Sequence, residues 1–403
     1  MVGALNRGSR IICGALLALA LLSGTATARS DRWIHDLSFD SRGRLVAAAL
    51  GGSRLAILRL DENGELDVSF GINGLIRPRI AGDGAQMVVQ ADNRILVGGR
   101  TGKRTFLRRF LPNGKPDRSF GAHGAVRLPV YGIEKLMVQP DGRIVVLSTI
   151  TCSERQCGYA FTRLVILRYA RRGQLASTRL QYSERWGIDA AGMGPKGRFV
   201  VAGGDWELEY SSLARFLPGG RFDPSFGGRE GLAVDNEDLE DAPAVSGRAL
   251  AVQPDEKVVL VAGFLPSELV RRNRNGSVDV GFGAGGVVKC GAPPTYGAPN
   301  HTFLAVVVEE DGSLLAAGGE AECGLVRYLA NGVPDPAFGV GGKVDVEADG
   351  VPHPQALAAR AGGGIALAGW DDTAGALCVA RYTASGSLDA AFGAGGISSL
   401  SIP

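Results

Sequence analysis

Histidine is scarce in this chain: four in 403 residues, namely His35, His123, His301 and His353, none of them in an H-E-x-x-H, H-x-H or G-x-S-x-G context. The sequence signs of a zinc protease or a triad hydrolase are therefore missing. Charge of one sign is missing too. Lys and Arg number 43 against 41 Asp and Glu, so there is no electrostatic footprint for nucleic acid or anionic lipid. Beyond the first 28 residues no apolar run approaches the roughly 20 residues that a membrane-spanning helix needs. A pattern of apolar residues at 3.6-residue spacing is absent as well, which argues against helical repeats.

The one long apolar run, Ile11 to Leu22, follows Arg7 and Arg10 and precedes the small-x-small triplet Ala26-Thr27-Ala28. This is the layout of a secretory signal peptide over residues 1–28, with about a dozen apolar residues, too few to span a bilayer. Its removal takes two basic residues and leaves 41 charges of each sign. No cysteine follows the run, which argues against a lipoprotein anchor. The mature chain, residues 29–403, is expected to be exported to the periplasm or the extracellular space as a monomer.

What the chain has in abundance is glycine, 60 residues, and a repeat. Asn331-Gly332-Val333-Pro334-Asp335-Pro336-Ala337-Phe338-Gly339-Val340-Gly341-Gly342 reads N-G-x-x-D-x-x-F-G-x-x-G, and the pattern returns along the sequence. Phe70 to Phe120 is 50 residues, Phe120 to Phe226 is 106, Phe226 to Phe282 is 56, Phe282 to Phe338 is 56 and Phe338 to Phe392 is 54. The double interval hides a degenerate copy, where Leu164 to Tyr169 and Arg172-Gly173 match but Ala176-Ser177-Thr178 replaces Phe-Gly. Seven units result, in one domain.

Each unit reads as strands. Met87-Val88-Val89, the turn Ala91 to Arg94 and Ile95-Leu96-Val97 form a hairpin, with counterparts around Pro140-Asp141-Gly142-Arg143 and Pro254-Asp255-Glu256-Lys257. A third strand, such as Phe106 to Phe110, enters the motif and a fourth, Ala125 to Leu128, leaves it. Runs this apolar must be covered on both faces, and radial stacking of four-stranded sheets does so. The fold class is all-β, a seven-bladed β-propeller of four-stranded blades. With the motif taken as the joint between blades, the first unit lacks its leading strand, and Ile397 to Ile402 is left without a unit. The expectation is a ring closed by that C-terminal strand joining the N-terminal blade, which would leave no open sheet edge.

The motif and the P-D-G-x-[IL]-x-V run before it resemble the delta-60 repeat, a bacterial family of tandem units, from about Ile34 to Gly396. The resemblance implies a propeller-like fold and no assigned activity. The third unit, lacking Phe-Gly, and the seventh, with Gly362-Gly363-Gly364, depart from its pattern. Kelch units have a similar length, and Gly98-Gly99 echoes their double glycine, but the Tyr and Trp that should follow are missing.

Asp67, Asp117, Asp223, Asp279, Asp335 and Asp389 recur at one motif position. Carboxylates on one rim could bind cations, but an Asp in such a turn also fixes its loop through backbone N–H groups. The structural role fits repetition better, with the following Phe plugging the space between blades. No metal site and no cofactor is expected. Cys152 with Cys157, and Cys290 with Cys323, are disulfide candidates, and Cys378 reads as a buried thiol. His123 is expected in a solvated turn.

The hairpins and the motif open on one regular face, and the remaining connections open on the other, where insertions collect. That irregular face would carry Trp186, Trp206, Tyr210, Tyr296, His301 and Trp370, beside the acidic loop Asp235 to Asp241. Aromatics next to carboxylates suggest recognition, so these six are the candidate ligand-binding residues, with no catalytic residue assigned. The expected function is an exported binding or scaffold module for a protein, peptide or glycan. The alternative is a propeller-based hydrolase or lyase with its site at the central channel.

Overall fold

Short apolar runs punctuated by glycine turns fold, in the computed structural model, into 28 strands among the described residues. The described residues are 34–51, 54–81, 84–152, 161–183, 187–205, 210–227, 232–234, 249–262, 268–289, 303–318, 324–351, 354–360, 362–371 and 373–401. The strands form seven antiparallel sheets of four. Blade I holds Ile34–Phe39, Leu45–Gly51, Arg54–Leu60 and Leu75–Ile76, and blade II holds Gln86–Val89, Ile95–Thr101, Arg104–Phe110 and Ala125–Leu128. Blade III is Lys135–Val138, Ile144–Cys152, Phe161–Tyr169 and Leu175–Ser183; blade IV is Ala190–Met193, Phe199–Asp205, Tyr210–Phe216 and Leu232–Val234. Blade V is Leu250–Val252, Val258–Ala262, Glu268–Arg272 and Val287–Lys289, and blade VI is Phe303–Val308, Leu314–Gly318, Leu325–Tyr328 and Lys343–Val344. Blade VII is Pro354–Arg360, Gly364–Asp371, Ala376–Tyr382 and Ile397–Leu400. First strands of successive blades touch all the way round, blade VII meeting blade I, so they encircle a central axis. The fold is the expected seven-bladed propeller.

The joint between blades differs from the expectation. The strand leaving the motif pairs with the strand that entered it, Leu107 opposite Val126 in blade II. The motif therefore lies inside a blade, because its own backbone bonds fold it back: Asp117 N–H donates to the Arg109 carbonyl at 2.9 Å and Arg109 N–H to the Gly124 carbonyl at 3.0 Å. Consequently blade I is complete without help from the C-terminus. Ile397–Leu400 pairs with Ala376–Tyr382 of its own blade, Val379 opposite Ser398, so the strand exchange between termini does not occur. The face assignment of the connections survives this change of frame.

The ring closes through packing instead. Seven apolar clusters each bridge two neighbouring blades, and the one at the seam joins Ile34, Leu37 and Leu58 of blade I to Trp370, Leu377 and Phe392 of blade VII. Phe70, Phe120, Phe226, Phe282, Phe338 and Phe392 are all fully buried, each as the plug toward the next blade. The glycine after each plug donates its N–H to the turn of the following blade: Gly71 to Asn113, Gly121 to Arg172, Gly227 to Asn275, Gly283 to Asn331 and Gly339 to Ser385. Gly393 makes the same bond to Asn63 at 2.6 Å, so the seam repeats the geometry of the other joints. Its φ of +57° and the 2.0 Å that a Cβ would leave to the Ile397 carbonyl oxygen explain why glycine is required there. Ser398 Oγ adds a bond to the Gly64 carbonyl at 2.6 Å.

The degenerate third unit has no such plug to offer blade IV. The space is filled from the other side, where Phe199 and Phe216 of blade IV stack at 5.0 Å and Phe222 stacks on Phe216 at 4.9 Å. Gln139 of blade III, buried, donates to the carbonyls of Gly197 and Pro218 at 2.9 and 3.0 Å and supplies the missing polar tie.

Candidate functional site

The recurring aspartates are built into the scaffold. Each lies eight residues after an arginine of the third strand, whose guanidinium it pairs with: Arg59 with Asp67 at 2.9 Å, Arg109 with Asp117 at 2.8 Å, Arg215 with Asp223 at 2.9 Å, Arg271 with Asp279 at 2.7 Å and Arg381 with Asp389 at 2.8 Å. The same arginines stack on the plugs, 4.4 to 4.7 Å from the rings of Phe282, Phe70, Phe120, Phe392 and Phe226. Four of the six aspartates meet a second cation from the start of the second strand, Arg44, Arg94, Arg198 or Lys257. Burial raises the cost of charging Asp223, but the Ser225 hydroxyl and N–H, with Arg215 and Arg198, outweigh it and hold the carboxyl below the usual range. Such groups are committed to turns and ion pairs, and a rim of cation ligands does not result. The eight-residue Arg-to-Asp spacing was present in the sequence and is the signal that reveals this role.

Blade VI breaks the rule. Arg327 leans away from Asp335, at 3.6 Å, and pairs through Nε with Glu309 at 2.7 Å. Glu309 opens the turn Glu309-Glu310-Asp311-Gly312, which stands where blades II, III and V carry Gln90-Ala91-Asp92, Gln139-Pro140-Asp141 and Gln253-Pro254-Asp255.

That turn borders a cavity of about 730 Å³ on the axis, at the regular face. Its wall is apolar, formed by the ends of five successive first strands: Val88 and Val89, Val138, Met193, Val252 and Val308. Gln90, Asp92, Arg109, Gln139, Arg171, Glu309 and Glu310 supply its polar groups. Two grooves run outward from it on either side of the blade VI turn, about 420 Å³ toward blade VII and 350 Å³ toward blade V, and Glu310 borders all three spaces.

A second group of ionisable residues sits nearer the other end of the first strands. Burial pushes the Asp36 carboxyl up to about 7, against the pull of the Leu37 backbone, the Lys135 ammonium and the Met87 backbone. Burial likewise lowers Lys135, which Asp36, Glu134 and Asp189 partly restore.

The candidate residues of the irregular face fare differently. Trp186, Trp206, Tyr296 and His301 lie outside the described residues, as do Cys157, Cys290 and Cys323. Tyr210 begins the third strand of blade IV and Cys152 ends the second strand of blade III. Trp370 differs from expectation: it is part of a strand, 3% exposed, and packs in the seam cluster, because the second strand of blade VII runs past it to Asp371. Cys378 is buried in the strand Ala376–Tyr382, and His123 is an exposed turn residue at φ +55°. The cavity lining escaped sequence reading because its residues come from five separate blades.

Comparison with known proteins bears on the fold. No curated protein sequence matches the chain. Among solved structures, a catalytically inactive virginiamycin B lyase from Staphylococcus aureus with quinupristin aligns over 85% of this chain and 93% of its own, at TM-score 0.53 and 11% identity. Hydrazine synthase of Kuenenia stuttgartiensis aligns over 90% and 99%, at TM-score 0.54 and 11% identity. The β-propeller domain of the trilobed protease from Pyrococcus furiosus, described as having an open velcro topology, aligns over 89% and 97%, at TM-score 0.50 and 7% identity. At these identities the likeness is one of fold. Residues 43–70, 90–120 and 363–392, in blades I, II and VII, match the profile of the family described as "Domain of unknown function (DUF5122) beta-propeller", so in those three units this propeller is similar to a bacterial propeller-repeat family.

Proposed function

We propose that the protein is an exported binding module of the delta-60 type that takes its ligand in the axial cavity of the regular face. One observation carries this reading: an apolar-walled space of about 730 Å³ with a few polar groups at its rim, which has the size and make-up of a ligand seat. Among the described residues its lining holds no histidine, serine or cysteine, so no Ser–His or Cys–His pair faces the space. Export is supported by Arg7, Arg10, the apolar run and Ala26-Thr27-Ala28. A side chain of a protein or peptide, or a substituent of a glycan, is the kind of group that such a seat would enclose.

Methionine makes the test direct. The chain has four, Met1, Met87, Met137 and Met193; Met193, half-buried against the cluster that holds Met137, lines the cavity, whereas Met87 and Met137 are buried in clusters between blades and do not line it. In a protein labelled with [methyl-13C]methionine, titration with uncharged benzyl alcohol is expected to move the Met193 signal and leave Met87 and Met137 in place. A captured ligand that leaves Met193 unmoved, yet is lost on replacing Trp206 and Tyr210 by alanine, would return recognition to the irregular face.

A second reading, catalysis at the central channel, is favoured by Asp36 alone, since a carboxyl titrating near neutrality suits a general acid or base. The shift has a consequence for stability. The unfolded carboxyl ionises near 3.8 and the folded one near 7, so between these values the folded state holds a proton that the unfolded state has lost. The contribution is complete below pH 4 and disappears as pH rises through 7. Asp189 and Asp349 are raised by burial and add in the same direction, so the difference between wild type and Asp36→Asn isolates Asp36. Urea midpoints are expected to show the variant gaining on wild type from pH 4.5 to pH 8. A constant difference would mean that Asp36 is ionised throughout and has no tuned proton to offer.

A further inference from the structure

We infer that Glu310 makes the axial cavity selective for cations, so that its ligand is an apolar body bearing an ammonium or guanidinium group. The inference rests on the cavity being the ligand seat and adds the chemistry that the seat prefers. The other carboxylates of the lining already have ion-pair partners, Asp92 in Arg94 and Glu309 in Arg327, and Arg109 is paired with Asp117; the Arg171 Nε donates to the neutral Asp141 carbonyl, so its charge is retained. Glu310 is exposed and makes no ion pair with a described residue, although it borders the axial cavity and both grooves.

The turn that presents Glu310 is braced from both sides. Glu309 N–H donates to the Ser313 carbonyl at 2.9 Å and Gly312 N–H to the Glu309 carbonyl at 3.0 Å. Ser313 N–H and its hydroxyl both donate to Asp311 Oδ1, at 2.9 and 2.5 Å. From blade V, the buried Gln253 amide donates to the Gly312 carbonyl at 2.7 Å. The bracing fixes the backbone from which the Glu310 side chain projects. Blade VI also gives up something for this arrangement: Glu309 draws Arg327 from the Asp335 pairing, whose counterparts in blades I, II, IV, V and VII are all under 3 Å. A local departure from a rule repeated elsewhere in the same chain is where a functional constraint is expected. Val252 and Val308 line the same cavity as Glu310, so one ligand can meet both with its charge at the rim and its body inside.

Three probes that share an aromatic body separate charge from shape: phenethylammonium, benzyl alcohol and phenylacetate, each titrated at one ionic strength with the Met193 methyl signal as readout. The cation is expected to bind tightest and the anion weakest. Glu310→Gln should weaken phenethylammonium about fivefold, the scale of a partly exposed ion pair, with benzyl alcohol unchanged. Glu62→Gln, an exposed residue of the blade I motif turn outside the cavity, removes the same net charge and should change nothing. Equal binding of the cation and the alcohol, or a preference that persists in Glu310→Gln, overturns the selectivity while leaving the cavity as the seat. No movement of Met193 with any probe overturns the seat and the selectivity together.

Discussion

Phe392→Ala is expected to lower stability by about 3–5 kcal/mol, the usual cost of emptying a fully buried aromatic site, and to do so at the one joint with no peptide link across it. Phe392 is fully buried between blade VII and blade I and lies 4.6 Å beneath the Arg381 guanidinium. The seam otherwise rests on the Gly393-to-Asn63 and Ser398-to-Gly64 bonds, on Ile34 N–H donating to Gln355 Oε1 at 2.8 Å, and on the apolar cluster. A domain has only about 5–15 kcal/mol in hand, so the loss is a large part of the total. Phe282→Ala, at the joint of blades V and VI, is the control, since its loss should be similar in size while the chain still tethers the two blades. Only the seam variant should then associate in a concentration-dependent way, because parting blades I and VII exposes the apolar faces packed there. Melting curves and light scattering decide it. A Phe392→Ala protein that melts within a degree or two of wild type would mean that the ring does not depend on its seam.

Asp223→Ala is expected to cost a comparable amount, about 3–5 kcal/mol, by leaving a buried guanidinium without its partner. Arg215 and Asp223 are both nearly inaccessible, at 3% and 2%, and Arg215 also donates to the Arg274 carbonyl of the next blade at 2.5 Å and to Ser225 Oγ at 3.0 Å. Replacing both residues, Arg215→Met with Asp223→Ala, should recover part of the loss, since no uncompensated charge then remains. Urea denaturation of the single and double variants measures this, and a single-variant loss below about 1 kcal/mol would place the pair among ordinary surface ion pairs. The same carboxyl predicts acid lability. Its folded state holds less proton than its unfolded state, so its contribution is present above the ordinary value of 3.8 and is lost as pH falls below it.

The sequence by itself determined the repeat, the blade count, the turn chemistry and the plugs. These are local matters: N-G and D-G turns need positive φ, strands of unbroken apolar residues need cover on both faces, and a Phe after each turn must be buried somewhere. Spacing also carried the Arg-to-Asp pairs, eight residues apart in six blades, although the eye goes first to the aspartates. What only the tertiary structure decided was which strands belong together and what the blades enclose. Whether Ala125–Leu128 completes the blade before it or begins the next depends on backbone bonds such as Arg109 to Gly124, which no composition reveals, and the answer moved the closure of the ring from strand exchange to packing. Trp370 looked like a loop aromatic because acidic residues follow it, yet the register opposite Leu377 buries it. The axial cavity is the clearest case. Val88, Val138, Met193, Val252 and Val308 are ordinary strand ends in the sequence, separated by more than 200 residues from first to last, and become one wall only because seven first strands meet around an axis.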